Sequence, residues 1–89
     1  MIDIIKNKIK TEINIIKIEI IDESSKHAQH SGNNGGGHYQ ALIISNDFEH
    51  KSLVERHQMI YKALGKLITN EIHAFSMKTM TESEFKTIG

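Results

Sequence analysis

"LVERHQMIYKALGKLITNEIHAFSMKT", residues 53–79, is the stretch on which the fold turns. Leu53, His57, Ile60, Tyr61, Leu64, Leu67 and Ile68 recur at steps of three and four, the spacing that lays one face of an α-helix on a core. The stripe predicts a helix over residues 52–69, ended by Asn70, a residue type that tolerates a left-handed C-terminal position. The period then falls to two: Ile72, Ala74 and Ser76 alternate with His73, Phe75 and Met77, as in a strand over residues 71–78. A strand that follows a helix needs other strands to pair with.

Those partners lie upstream. "INIIKIEII", residues 13–21, alternates Ile16, Ile18 and Ile20 with Lys17 and Glu19, the pattern of a β-branched strand with one wet face. "HYQALIIS", residues 38–45, is a second strand, antiparallel to the first across the aperiodic residues 22–37. Before them, Ile2, Ile5 and Ile9 among lysines predict a short surface helix over residues 2–10. Asn46 and Asp47 signal a turn and a helical segment, and Thr81 three residues before Glu84 has the capping-box spacing of a short last helix. The order is α-β-β-α-α-β with a C-terminal helical tail. It implies an α+β fold, a three-stranded sheet with helices on one face, in a single domain over residues 1–89.

Composition limits the function classes. Eleven Lys and Arg balance eleven Asp and Glu, so no global field draws the chain to nucleic acid or to an anionic membrane. No apolar run is long enough for a membrane span or a signal peptide. With zero cysteines the chain needs no disulfide, which fits a cytoplasmic setting. No acid–base pair, no serine or cysteine nucleophile arrangement and no phosphate loop can be assembled, so the chain reads as a non-enzyme.

The segment "SSKHAQHSGNNGGGHY", residues 24–39, concentrates histidine and glycine. A P-loop would need a lysine after its glycines and a helix next; here a strand follows. Gly32-Asn33-Asn34-Gly35 spells the GxxG of nucleic-acid clamps, yet that motif joins two helices, not two strands. His27, His30 and His38 offer imidazoles, but structural zinc wants four ligands and most often cysteines among them. By composition the segment is a flexible hairpin loop, and loops of this length frequently carry function. Among the remaining histidines, His57 falls in the helical stripe as a partly buried group, His50 sits solvated in a turn, and His73 shares a strand face with Phe75 and Met77. On pattern alone a structural role suits His73 better than a functional one. Lys51, Arg56, Lys62 and Lys66 form a basic set on or near the long helix, with Lys62 and Lys66 on one helical face. Asp47, Glu49 and Glu55 dilute it, so any DNA binding should be weak and salt-sensitive.

Taken together, "DESSKH", "GGGHY", "FEHKSLVERHQMIYKAL" and "IHAFSMKTMTESEF" resemble the BolA family, in the right order and over almost the whole chain. Phe48 to Tyr61 is similar to the family pattern Phe-x-Gly-x-x-x-x-x-Arg-His-Arg-x-Val-Tyr, and Ile72-His73-Ala74 followed by Thr81-x-x-Glu84 extends the likeness. The departures are His50 for glycine, Gln58 for the second arginine and Phe85 for tryptophan. The histidine at residue 50 implies that the turn before the helix does not need positive φ. The resemblance implies a KH-like (type II) fold and a partner, a monothiol glutaredoxin with glutathione, sharing a bridged [2Fe-2S] cluster. In a cysteine-free chain the ligands are then imidazoles. His73 matches the family's C-terminal ligand; the loop supplies a second, His27 first and His38 as the reserve. It further implies a monomer when alone, without bound cofactor, and, as the alternative, a transcriptional regulator that uses its helix-turn-helix-like segment.

Overall fold

The computed structural model describes residues 1–23, 37–70 and 72–88, with residues 69 and 73 described by backbone alone. The chain opens with helix α1, Ile2–Glu12, which buries Ile5 and Ile9 completely. Ile13, just past its end, continues the four-residue step and is buried with them. That docking consumes the residues expected to start the first strand, so β1 runs Lys17–Asp22 rather than from Ile13. β2, Gly37–Ile44, pairs antiparallel with β1, as the connection through the loop implied, in a register from Lys17↔Ile44 to Asp22↔Tyr39. β3, Ile72–Met80, lies parallel to β2 on its other side, giving the order β1-β2-β3.

Alternation along the strands makes two unlike faces. On one face, Ile18 and Ile20, then Tyr39, Ala41 and Ile43, then Phe75 and Met77 pack against Ile5, Ile9, Phe48, Ile60 and Leu64. On the other, Glu19, Ile21, Gln40, Leu42, Ser76 and Lys78 line an open groove that Phe85 and Ile88 close at one end. These last two belong to α4, Glu82–Ile88, so three helices cover one face while the tail leans onto the opposite one. No described helix is long and apolar enough to cross a membrane.

The expected helix over residues 52–69 is two helices, α2 at Leu53–Leu64 and α3 at Leu67–Asn70. The break is Gly65, at φ 57° and ψ −128°, a backbone state essentially confined to glycine. Open space surrounds its Cα, so conformation and not crowding demands glycine there. The stripe is also turned from its expected phase. Arg56, Ile60 and Leu64 are buried, while Leu53 is 64% and Tyr61 42% exposed. The slot an apolar residue would fill holds Arg56, whose guanidinium carbon lies 5.8 Å from the centre of the Phe48 ring. Asn70 belongs to α3 and is not left-handed; among the described residues the non-glycine position at positive φ is His50, φ 63°. The turn before α2 therefore keeps the conformation for which the family uses glycine, contrary to the expectation drawn from His50, and histidine is one of the few side chains that tolerate it.

Candidate functional site

Polar bonds fix one end of the β2–β3 pair. Ser45, fully buried after β2, donates its hydroxyl to the Asn14 carbonyl at 2.6 Å and accepts from the Asp47 amide, which opens a single 3-10 turn at Asn46–Phe48. Asp47 in turn accepts from the Asn14 amide at 2.9 Å. Ser52 and Glu55 then form a full capping box at the start of α2. Hydrogen bonding to the carboxylate from the Ser52 amide first and its hydroxyl second holds Glu55 below its ordinary pKa. Thr81 and Glu84 repeat the motif at α4, as the spacing predicted. Glu84 does more, because its two carboxylate oxygens also accept from Arg56 at 2.7 and 3.1 Å. Hydrogen bonds from Arg56 and then from the Thr81 amide pull the Glu84 carboxyl down to about 2. Arg56 completes its fork on the carbonyls of Lys51 and Thr79.

This geometry corrects the basic set. Arg56 is 7% exposed with its donors engaged inside the fold, so it is a structural residue and not a phosphate contact. Lys51 and Lys62 are exposed, and Lys66 is exposed in the turn beyond Gly65. Because the helix ends at Leu64, Lys62 and Lys66 do not share one helical face.

The opposite end of the strand pair is built differently. Gly37 pairs with Ile72, but His38 pairs with Ala74, so the parallel register skips residue 73. His73 is thus the extra residue of a β-bulge, a device that re-aims a strand locally and is common beside functional sites. Strands in a ladder lie about 4.8 Å apart, so the backbones of His38 and His73 are neighbours across the β2–β3 pair. His38 is half-buried, and its carbonyl accepts from the Glu23 amide at 2.7 Å. With Glu23, Tyr39, Ala74, Phe75 and Ser76 it lines a shallow cavity of about 300 Å³. The Tyr39 ring lies back over Gly37, where a Cβ would stand 2.0 Å from a ring carbon, so only glycine leaves room. Burial first and Asp22 second raise the pKa of Tyr39, which keeps the phenol protonated. The sequence places Tyr39 and Phe75 on strands but gives no sign that they and Glu23 share a cavity; the two-residue step from Gly37 to Tyr39 on one strand face is the signal that pairs the first two residues of β2's inner side.

His27 and His30 lie outside the described residues, as do residues 24–36 of the segment 24–37 expected to be mobile; Gly37, expected in that loop, instead opens β2 and pairs with Ile72. Among the described residues no three His, Cys, Asp or Glu side chains gather closely enough to hold a metal ion. His50 is exposed and His57 half-buried, as their positions implied.

Comparison with known proteins fits this architecture. Residues 9–84 match the family model described as BolA-like protein. The chain belongs to the BolA-like family. It is 38% identical over 82 residues to a Buchnera aphidicola protein, covering 92% of this chain and 77% of that one. It is 35% identical to the Haemophilus influenzae protein named DNA-binding transcriptional regulator BolA, over 93% of this chain and 79% of the relative. Among solved structures, the BolA domain of SufE1 from Arabidopsis thaliana superposes with a TM-score of 0.79 at 34% identity, covering 92% of each chain. BolA-like chains thus occur under regulator and SufE-like names.

Proposed function

We propose that this BolA-like chain is a non-catalytic partner of a monothiol glutaredoxin, and that with glutathione the pair holds a bridging [2Fe-2S] cluster in iron–sulfur assembly, trafficking or iron regulation. The observation that supports the reading is the bulge that sets His73 beside His38 at the amino ends of β2 and β3. The donor chemistry fits: imidazole is an established ligand of [2Fe-2S] iron, and the chain has no thiol of its own to offer. His73 would hold iron together with His38 or His27, leaving the remaining positions to the partner's thiolates. The cluster, when bound, supplies a transferable iron–sulfide unit. This chain's part is to present neutral imidazoles, to fix their backbones through the strand ladder, and to crowd out water with Tyr39 and Phe75. Because a protonated imidazole cannot bind iron, His73 and its companion also make retention acid-sensitive.

The test is to mix the chain with a monothiol glutaredoxin, glutathione and a cluster source, and to record visible absorption and circular dichroism. A spectrum distinct from that of glutaredoxin alone is expected, lost in His73→Ala and weakened or shifted in either His38→Ala or His27→Ala, with His30→Ala unchanged. A spectrum identical to that of glutaredoxin alone would sink the reading.

The second reading, DNA binding, is favoured by the exposure of Lys51 and Lys62 and by the name of the Haemophilus relative. With Arg56 withdrawn into the fold, contacts are restricted to a few lysines. A slope of log affinity against log salt no steeper than about −3 is then expected for duplex DNA. Sequence-selective binding that persists at physiological salt would reverse the order of the two readings.

A further inference from the structure

The two edges of the sheet, β1 and β3, are not alike. Against β3 packs α3, and Tyr61, Ile68, Ile72, Ala74 and Phe75 line a cleft of about 400 Å³ beside them. β1 pairs with β2 on one side, and among the described residues no strand lies on its other side. The bond from the Glu23 amide to the His38 carbonyl falls in the β1–β2 register and fixes the parity of the ladder. Glu19 and Ile21 therefore bond inward to β2, while Ile18 and Ile20 turn their amides and carbonyls to the free edge. Proline or a single-signed row of charge would blunt such an edge, and this one has neither. Ile16 and Ile21, at its two ends, are 50% and 59% exposed. Its charges are Lys17 and Glu19, 3.3 Å apart and both exposed.

Read outward from Ile18, residues 15–21, Ile-Ile-Lys-Ile-Glu-Ile-Ile, are their own antiparallel complement. We propose that this edge is an interface between two copies of the chain, paired antiparallel about a two-fold axis at Ile18 into one six-stranded sheet. Ile18 then faces Ile18 of the second copy, Ile16 faces Ile20, and Ile15 faces Ile21. Lys17 faces Glu19 of the second copy, and Glu19 faces its Lys17, so both charges on each strand meet their opposites. These charged pairs occupy the non-hydrogen-bonded positions, where facing side chains approach most closely, while the two Ile18 residues exchange amide bonds. Moving the axis by one residue sets Lys17 against Lys17 or Glu19 against Glu19, so charge selects the register. Ile16 is already laid along β2 by the bond from its amide to the Ile44 carbonyl at 2.8 Å, which readies it to extend the pairing. One strand pair buries less than the roughly 1,200 Å² of a stable interface, so the dimer is weak and the chain is a monomer when dilute. The inference makes no use of the histidines and stands apart from the glutaredoxin reading.

Sedimentation equilibrium from about 10 µM to about 1 mM measures the association. Lys17→Glu and Glu19→Lys each set like charges against one another in a homodimer, yet an equimolar mixture of the two variants restores opposite charges at both positions. Lys78→Glu, the same charge change at an exposed position on β3, is the control. The mixture also separates charge pairing from the contact that Lys17 makes with the Phe85 ring, 5.3 Å from its centre. Far-ultraviolet circular dichroism and a thermal melt verify folding of each variant. The expected result is a concentration-dependent dimer in the wild type and in Lys78→Glu, weakened at least about tenfold in each β1 variant alone and recovered in their mixture. A wild type that stays monomeric over the whole range overturns the proposal. Equal association of the wild type and both β1 variants places the contact on another surface and overturns it too. Variants that lose association and do not regain it on mixing overturn the paired register.

Discussion

At the carboxyl ends of β2 and β3, Ser45, Asp47, Arg56, Thr81 and Glu84 tie four segments together through bonds of 2.6–3.1 Å, whereas at the amino ends Gly37, His38 and Ile72 meet through a register that skips a residue. The first end is rich in charge and titratable groups, yet those groups are consumed by one another. The second holds a bulge and two clefts that open to solvent. A firmly tied far end keeps the two strands aligned, while the near end carries an irregular register that a substitution can shift.

Substitutions at the two ends should separate accordingly. Phe48 is fully buried at the tied end, and Phe48→Ala should cost about 3–5 kcal/mol in equilibrium denaturation, whereas His38→Ala should leave the midpoint nearly unchanged. Equal losses would erase the distinction between the ends. Next in size, Arg56→Ala leaves the Thr79 carbonyl and the Glu84 carboxylate without their donor and should lower the melting temperature clearly, while Lys62→Ala should not move it.

The same clasp gives a pH signature. Glu84 is held at about 2, below its ordinary 4.5, so the folded state favours its ionised form. Its contribution is complete above about 4.5 and fades as pH falls toward 2, because the unfolded chain takes up the proton first. Glu84→Gln should flatten that part of the stability profile measured by denaturant titration between pH 5 and 2, with the wild type showing the steeper slope. At the near end, Gly37→Ala must push the Tyr39 ring aside and should cost about 1–3 kcal/mol, with shifted Tyr39 ring resonances as its mark. The smallest effect is a gain: His50→Gly relieves a positive φ and should add about 0.5–1 kcal/mol, since the exposed imidazole packs on nothing that compensates.

Much of this architecture could be read from residues. The alternations in "INIIKIEII" and "HYQALIIS", the period change before Ile72 and the Thr81–Glu84 box gave three strands, their order and the last helix, because each depends on local spacing. The phase of α2 could not be read, since Arg56 occupies a core slot only by virtue of Glu84, 28 residues away. Nor could the break at Gly65, which a single glycine in a helical pattern does not announce. The histidines were visible as a set, but the bulge at residue 73 exists only in the pairing of two strands, and no one strand's sequence contains it.

Glu84 also fixes how the chain comes apart. α4 is seven residues long and buries none of them, too short to persist without support. Its capping carboxylate is at the same time the anion that keeps Arg56 in its slot on α2. Fraying of the tail therefore removes the counter-charge from inside the helix layer, and reseating Arg56 restores the tail. The end of the chain and the first turns of α2 form one cooperative unit, and their amide protons should exchange with solvent in step rather than in order of exposure.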